Sequence, residues 1–138
     1  MSPEVLARKL AKLRVFLSDL RPYRGASLPT VEEDHYRVER LLQLLVEVAT
    51  DILAHELARL GVVPASYRDA VRKAVEEGLL PEELGGSLER AAGLRNILVH
   101  LYEDVDMEIL AASVEPAVND FGEFLEIFRK RLQEMERE

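Results

Sequence analysis

Apolar residues recur along this chain at helical spacing, with no convincing strand alternation. Ser2 and Pro3 open the first run, with proline at the first helical position, where its missing N–H removes no bond. Val5, Leu6, Leu10, Leu13, Phe16, Leu17 and Leu20 then repeat on one face up to Arg21-Pro22. Tyr23 to Pro29, rich in Gly, Ser and Pro, reads as a loop. Thr30 and Glu33 form a capping box that opens the longest helix, closed by Gly61. Ser66 and Asp69 repeat the signal for a short helix ending at Gly78. Pro81 to Gly86 reads as a turn or a loose first turn, with Ser87 capping a helix that carries residues 95–102. Asp106 caps the next helical segment. Because proline is tolerated only in a first turn or at a kink, Pro116 predicts a short helix near 107–113 and a long last one to about Glu136. The stripe of that last helix is Val118, Phe121, Phe124, Leu125, Phe128 and Leu132. The expected architecture is an all-α, antiparallel bundle of four main helices plus short ones, one domain over residues 1–138. No internal repeat or low-complexity segment is visible.

Composition narrows the class. With 48% hydrophobic residues the chain is globular. No apolar run reaches the roughly 20 residues of a membrane helix, and Arg8, Lys9, Lys12 and Arg14 interrupt any signal-peptide core. Cysteine is absent, which excludes disulfides, thiol catalysis and cysteine-ligated zinc. A cytoplasmic protein without a membrane partner is expected. The net charge of −8 argues against a broad basic surface for nucleic acid. It is the charge a solvated helix bundle ordinarily carries. The charge is uneven, with eight basic against six acidic residues in the first 40. A few arginines lining one groove still allow an acidic protein to act on RNA, by loose binding or with a partner.

The chemistry concentrates between Arg95 and Tyr102. Leu94, Ile97, Leu98, Val99 and Leu101 are core material, whereas Arg95, Asn96, His100 and Tyr102 are not. A guanidinium grips phosphate oxygens through parallel hydrogen bonds, and an imidazole exchanges protons near neutrality. The combination points to a phosphodiester, and to RNA cleavage. Five residues of helix turn the chain through about 500°, or about 140° net, so Arg95 and His100 lie on different faces. Either the helix ends or deforms near His100, as Glu103-Asp104-Val105-Asp106 suggests, or a second copy supplies the other half across a twofold axis. Asn96 is four residues before His100, within reach of a hydrogen bond that orients the imidazole. Arg95 and Tyr102, seven apart, share a face if the helix continues.

A second constellation, Glu47, Asp51 and His55, runs along one face of the long helix. It fits a divalent ion, a polar stripe continued by Arg40 and Arg59, or a carboxylate that pairs with Arg95. The stripe is preferred to the metal, and no metal or cofactor is expected. His35 reads as a solvated first-turn residue. Arg21, Arg24 and Arg37 form either a basic rim for RNA or an ordinary solvated group.

Gly93-Leu94-Arg95-Asn96-Ile97-Leu98-Val99-His100-Leu101-Tyr102, followed by Val105-Asp106, resembles the signature of the HepT-like toxins of the HEPN superfamily. In that signature Arg, a polar residue, three others, His, one residue and Tyr follow in order. The likeness extends to Tyr36-Arg37-Val38-Glu39-Arg40-Leu41-Leu42-Gln43, to Glu47 and Asp51, and to Ser66-Tyr67-Arg68, so that roughly residues 1–135 are covered. The resemblance implies a helical bundle that pairs as a homodimer or larger homo-oligomer, and a metal-independent endoribonuclease leaving a 2′,3′-cyclic phosphate. His100 would be the general base on the ribose 2′-OH, Arg95 would stabilise the phosphate charge, and Asn96, with Glu47 and Asp51, would support them. It further implies an MntA-like nucleotidyltransferase antitoxin that silences the toxin by transferring AMP to Tyr102. The alternative is a non-catalytic helical module that binds such a nucleotidyltransferase or its nucleotide.

Overall fold

The computed structural model describes residues 1–100 and 105–138, without the side chains of Val99 and His100. Its helices are α1 (Pro3–Leu20), α2 (Leu28–Glu33), α3 (His35–Arg59), α4 (Tyr67–Glu76), α5 (Glu82–His100) and α6 (Met107–Arg137), with a 3-10 turn at Arg21–Tyr23. There is no strand among the described residues. The architecture is the all-α bundle expected from the spacing, with α1, α3, α5 and α6 as main helices and α2 and α4 as short ones. No helix among the described residues is long and apolar enough to cross a membrane.

Local chemistry sets most boundaries. Ser2 accepts a hydrogen bond from the Val5 N–H at 3.2 Å and starts α1, which buries Leu6, Leu10, Leu13, Leu17 and Leu20. Gly61, at φ +78, ends the α3 segment in the left-handed region that glycine adopts without strain. The Val62 N–H then closes onto the Leu57 carbonyl at 2.9 Å. Ser66 caps α4 by accepting from the Asp69 N–H at 3.0 Å, and the Asp69 carboxylate accepts from the Ala65 N–H at 2.7 Å. That bond, with the Lys73 ammonium at 2.9 Å, holds the Asp69 carboxyl below its ordinary range.

Three boundaries differ from the sequence expectation. The helix expected to begin at Thr30 is split. Ser27 caps α2, with Pro29 in its first turn, and α3 starts anew after Asp34. The Asp34 carboxylate makes no capping bond; it accepts from the Tyr23 hydroxyl at 2.7 Å, tying the break to the 3-10 turn. The carboxylate beside it raises the Tyr23 phenol above its ordinary pKa. Of the two readings of Pro81–Gly86, the helical one holds, with regular helix from Glu82, so Ser87 is internal and does not cap. Finally, Pro116 does not divide the last segment: α6 runs unbroken for 31 residues and is the longest helix described. A helix-interior proline costs roughly 3 kcal/mol. Leu110, Val114, Ala117, Val118, Phe121, Phe124 and Phe128 lie buried on both sides of it. At about 1.5–3 kcal/mol for each large buried side chain, the continuous stripe outweighs the missing bond.

Helix α3 is the centre of the bundle and meets α1, α4, α5 and α6. One carboxylate is drawn into this packing: Glu56 of α3, 2% exposed, has Arg59 at 3.3 Å and Arg131 of α6 at 3.9 Å. The close approach of α4 to α5 depends on Gly85, where an added Cβ would overlap Cγ2 of Val75. Val75 is β-branched and has little rotamer freedom in a helix. Gly85→Ala is therefore expected to destabilise the fold. Overpacking at about 1–3 kcal/mol exceeds the gain of about 1 kcal/mol in helix propensity. A lower urea midpoint restored by adding Val75→Ala would support this, whereas an unchanged or higher midpoint for Gly85→Ala alone would refute it.

Candidate active site

Three helices converge on Arg95. It projects from α5 towards α3, where its Nη2 donates to Glu47 Oε1 at 2.7 Å. Its Nη1 donates to the neighbouring Asn96 Oδ1 at 3.4 Å. The guanidinium carbon lies 4.3 Å from the ring centroid of Tyr67, the first residue of α4. These contacts leave the Arg95 side chain 12% exposed. Its Nε is screened from solvent and has no hydrogen-bond acceptor among the described residues. Each terminal nitrogen makes one hydrogen bond among the described residues, so these contacts hold the guanidinium in place and each nitrogen keeps a second N–H.

The expected constellation of Glu47, Asp51 and His55 divides between partners. Glu47 pairs with Arg95, as one of the three sequence readings has it. Asp51, one turn on, accepts from Lys9 of α1 instead, and His55 Nε2 stands 3.6 Å from its other oxygen. Each of the two carboxylates thus faces a cation. Between α3 and the start of α4 lies a cavity of about 450 Å³ with Glu47, Asp51, Tyr67 and Asn96 in its wall, so two of Arg95's contacts and its sequence neighbour are shared with it.

Helix α5 is regular through Arg95–His100, so positions 95 and 100 lie about 140° apart around its axis. The expectations placed on the His100 side chain, including its bond to Asn96, and on Tyr102 fall outside the described residues. Ile97, expected in the core, is 48% exposed. Leu94 and Leu98, beside it on the helix, do pack against the core.

The remaining candidates settle into ordinary contacts. Arg24 is 3.8 Å from Glu115 and Arg37 is 3.8 Å from Asp19, both exposed pairs away from Arg95. Such pairs contribute little. His35 is half-buried and not solvated as expected, with Nδ1 2.6 Å from Glu39. Sequence reasoning missed Tyr67 and Lys9 as parts of the site. Tyr67 follows the Ser66 cap directly, so its helical position was legible, but its proximity to Arg95 is a tertiary fact. On α4, Arg72 bonds Glu89 of α5 at 2.5 Å, while Arg68 reaches the same carboxylate only at 3.9 Å and lies over Gly93.

Known proteins give this geometry a context. The chain is 31% identical over 90 residues to an mRNA nuclease HepT of Shewanella oneidensis, covering 64% of this chain and 67% of that one. It is 27% identical to a tRNA nuclease HepT of Aphanizomenon flos-aquae over all of this chain and 97% of the relative. The fold matches a tri-AMPylated Shewanella oneidensis HEPN toxin solved in complex with an MNT antitoxin. The TM-score is 0.81 at 24% identity, over 91% of this chain and 97% of that one. The family model for ribonuclease HepT-like proteins matches residues 7–128. Most of the chain, from α1 into α6 and including Glu47, Tyr67 and Arg95–Tyr102, thus lies inside that match, and the protein belongs to the ribonuclease HepT-like family.

Proposed function

We propose that this chain, as one helical domain, is the toxin of a toxin–antitoxin pair and a metal-independent endoribonuclease of the cytoplasm. The observation that carries the reading is the arginine of the motif, fixed by Glu47, Asn96 and Tyr67 with a second N–H left on each terminal nitrogen among the described contacts. In the proposed reaction the His100 imidazole takes the proton of a ribose 2′-OH, and the 2′ oxygen attacks the adjacent phosphorus. The bond to the 5′ oxygen breaks and that oxygen takes up a proton from water, leaving a 2′,3′-cyclic phosphate and a 5′-hydroxyl. Arg95 stabilises the charge that builds on the phosphate oxygens. Asn96 orients the imidazole and Glu47 the guanidinium. Asp51 acts one step further out, through Lys9 and the cavity wall.

The angular separation of positions 95 and 100 is why the proposed active unit is a homodimer or a larger homo-oligomer. Motifs from two copies facing across a twofold axis bring an arginine and a histidine to one phosphate. The exposed Ile97 beside the motif supplies apolar surface for that contact. Related nucleases and the AMPylated toxin–antitoxin complex support the proposed partners, RNA and an MntA-like nucleotidyltransferase. Transfer of AMP to the Tyr102 phenol would place a bulky anion two residues from His100 and exclude RNA.

The test is incubation of the purified chain with a mixed RNA pool in excess EDTA. Cleavage that survives chelation and leaves cyclic phosphate ends is the expected result. No cleavage by protein shown by intact mass to be unmodified at Tyr102 would overturn it. That outcome would favour a non-catalytic module that binds the nucleotidyltransferase or its nucleotide.

A further inference from the structure

The cavity beside Arg95 has three kinds of wall, and together they select one class of ligand. Its volume of about 450 Å³ falls within the roughly 300–1,000 Å³ of small-molecule sites. Tyr67 gives it an aromatic wall, with the guanidinium of Arg95 against that ring at 4.3 Å. Ala54 and Ala70 add apolar surface without bulk. The polar wall is Glu47, Asp51 and Asn96, with the hydroxyls of Thr50 and Ser66, which already bond the Val46 carbonyl and the Asp69 N–H. Every base has a flat π-face that stacks on an aromatic ring, so the shape and the tyrosine suit a nucleobase.

The polar wall narrows the choice. Ionised carboxylates only accept hydrogen bonds, so the ligand edge that meets Glu47 and Asp51 must donate. Glu47 uses Oε1 on Arg95, and Oε2 has no hydrogen-bond partner among the described residues. Asp51 is paired with Lys9. Both carboxylates are thereby balanced by a cation, and the pocket does not repel a neighbouring phosphate as two free acids would. Guanine presents N1–H and its exocyclic amino group side by side, which suits a carboxylate bidentately. Adenine and cytosine offer the amino group alone. Uracil offers the single N3–H, flanked by two carbonyls that face the carboxylates, a pairing that disfavours it against guanine.

We propose that this cavity is a base-recognition subsite for an amino-bearing nucleobase, guanine above all, on the nucleotide adjoining the phosphate held by Arg95. Tyr67 stacks on the base and Asp51, with Glu47 Oε2, reads its donor edge. The place of the base in a cleaved strand rests on the ribonuclease reading; the binding of the base does not.

Two measurements on the full chain separate these. Guanosine and uridine 5′-monophosphates are titrated individually into ¹⁵N-labelled protein. The guanine nucleotide should shift amides of residues 47–51 and 65–70 and bind at least about tenfold more tightly than the uracil one. Tyr67→Ala should weaken it about tenfold or more, Tyr67→Phe should preserve it, and Asp51→Asn should erase the preference. Equal affinity for the two nucleotides, or shifts confined to other residues, overturns the subsite. In parallel, RNA oligonucleotides differing at one base are cleaved by the native protein and by Asp51→Asn. A guanine preference that the variant loses supports the subsite. Cleavage with identical base profiles removes it and leaves the ribonuclease intact. Absence of cleavage with selective guanine nucleotide binding removes the ribonuclease and leaves the subsite.

Discussion

Arg95→Ala is expected to lower RNA cleavage by about 10²- to 10³-fold, the loss typical of removing one preorganised donor to a transition-state oxyanion. Arg95→Lys should be almost as poor. An ammonium keeps the charge but cannot present two parallel donors to a phosphate, nor cover the Tyr67 ring with a planar group as the guanidinium does at 4.3 Å. Glu47→Gln should lose less. Contacting residues couple by about 0.5–3 kcal/mol, of which the middle is about tenfold in rate. If Glu47 acts through Arg95, the loss should largely vanish in the Arg95→Ala background. His100→Ala should abolish cleavage in the same assay. Steady-state cleavage of one RNA substrate, with the thermal midpoint of each variant as a control for folding, measures all of these. Native-like cleavage by Arg95→Ala would remove the guanidinium from the mechanism. A fully additive double mutant would remove Glu47's hold on Arg95 from it.

Phe124→Ala should destabilise the fold by about 3–5 kcal/mol, the range for truncating a buried phenylalanine. Phe124 is fully buried in α6 and stacks on Phe128 at 4.6 Å between ring centroids. Truncation removes apolar area and leaves a void, because α1 and α3, which also pack on α6, relax only partly. Urea unfolding gives the value directly, with an unchanged slope marking a loss of stability rather than of cooperativity. Phe124→Leu should cost appreciably less, since it refills most of the space. A loss under about 1 kcal/mol for the alanine variant would place Phe124 outside the core.

The helical boundaries that were legible share one property: all the groups that make them lie within a few residues. Ser2 with Val5, Ser66 with Asp69, and Asp106 with Glu108 and Ile109 are complete caps within a single turn. The boundaries that were misread each depend on a distant group. The break at Asp34 involves the Tyr23 hydroxyl. The early start of α5 places Gly85 against Val75 of another helix. Pro116 stays helical because residues on both sides of it are buried. Ile97 was misread for the complementary reason, since an apolar residue in a helical motif says nothing about whether another element covers that face.

The all-α class, the stripes of α1 and α6, and the short motif in which arginine, asparagine, histidine and tyrosine interrupt apolar residues are written in the linear chain. Periodicity and capping act over one or two turns, so they survive in a linear reading. Helix packing sets which of Glu47's readings holds, turns Asp51 to Lys9, and brings Tyr67 to Arg95 beside a cavity. Glu47 and Arg95 are 48 residues apart along the chain. A contact of that kind depends on how the bundle packs, because the entropy of closing so long a loop is offset by the whole core and not by the two side chains.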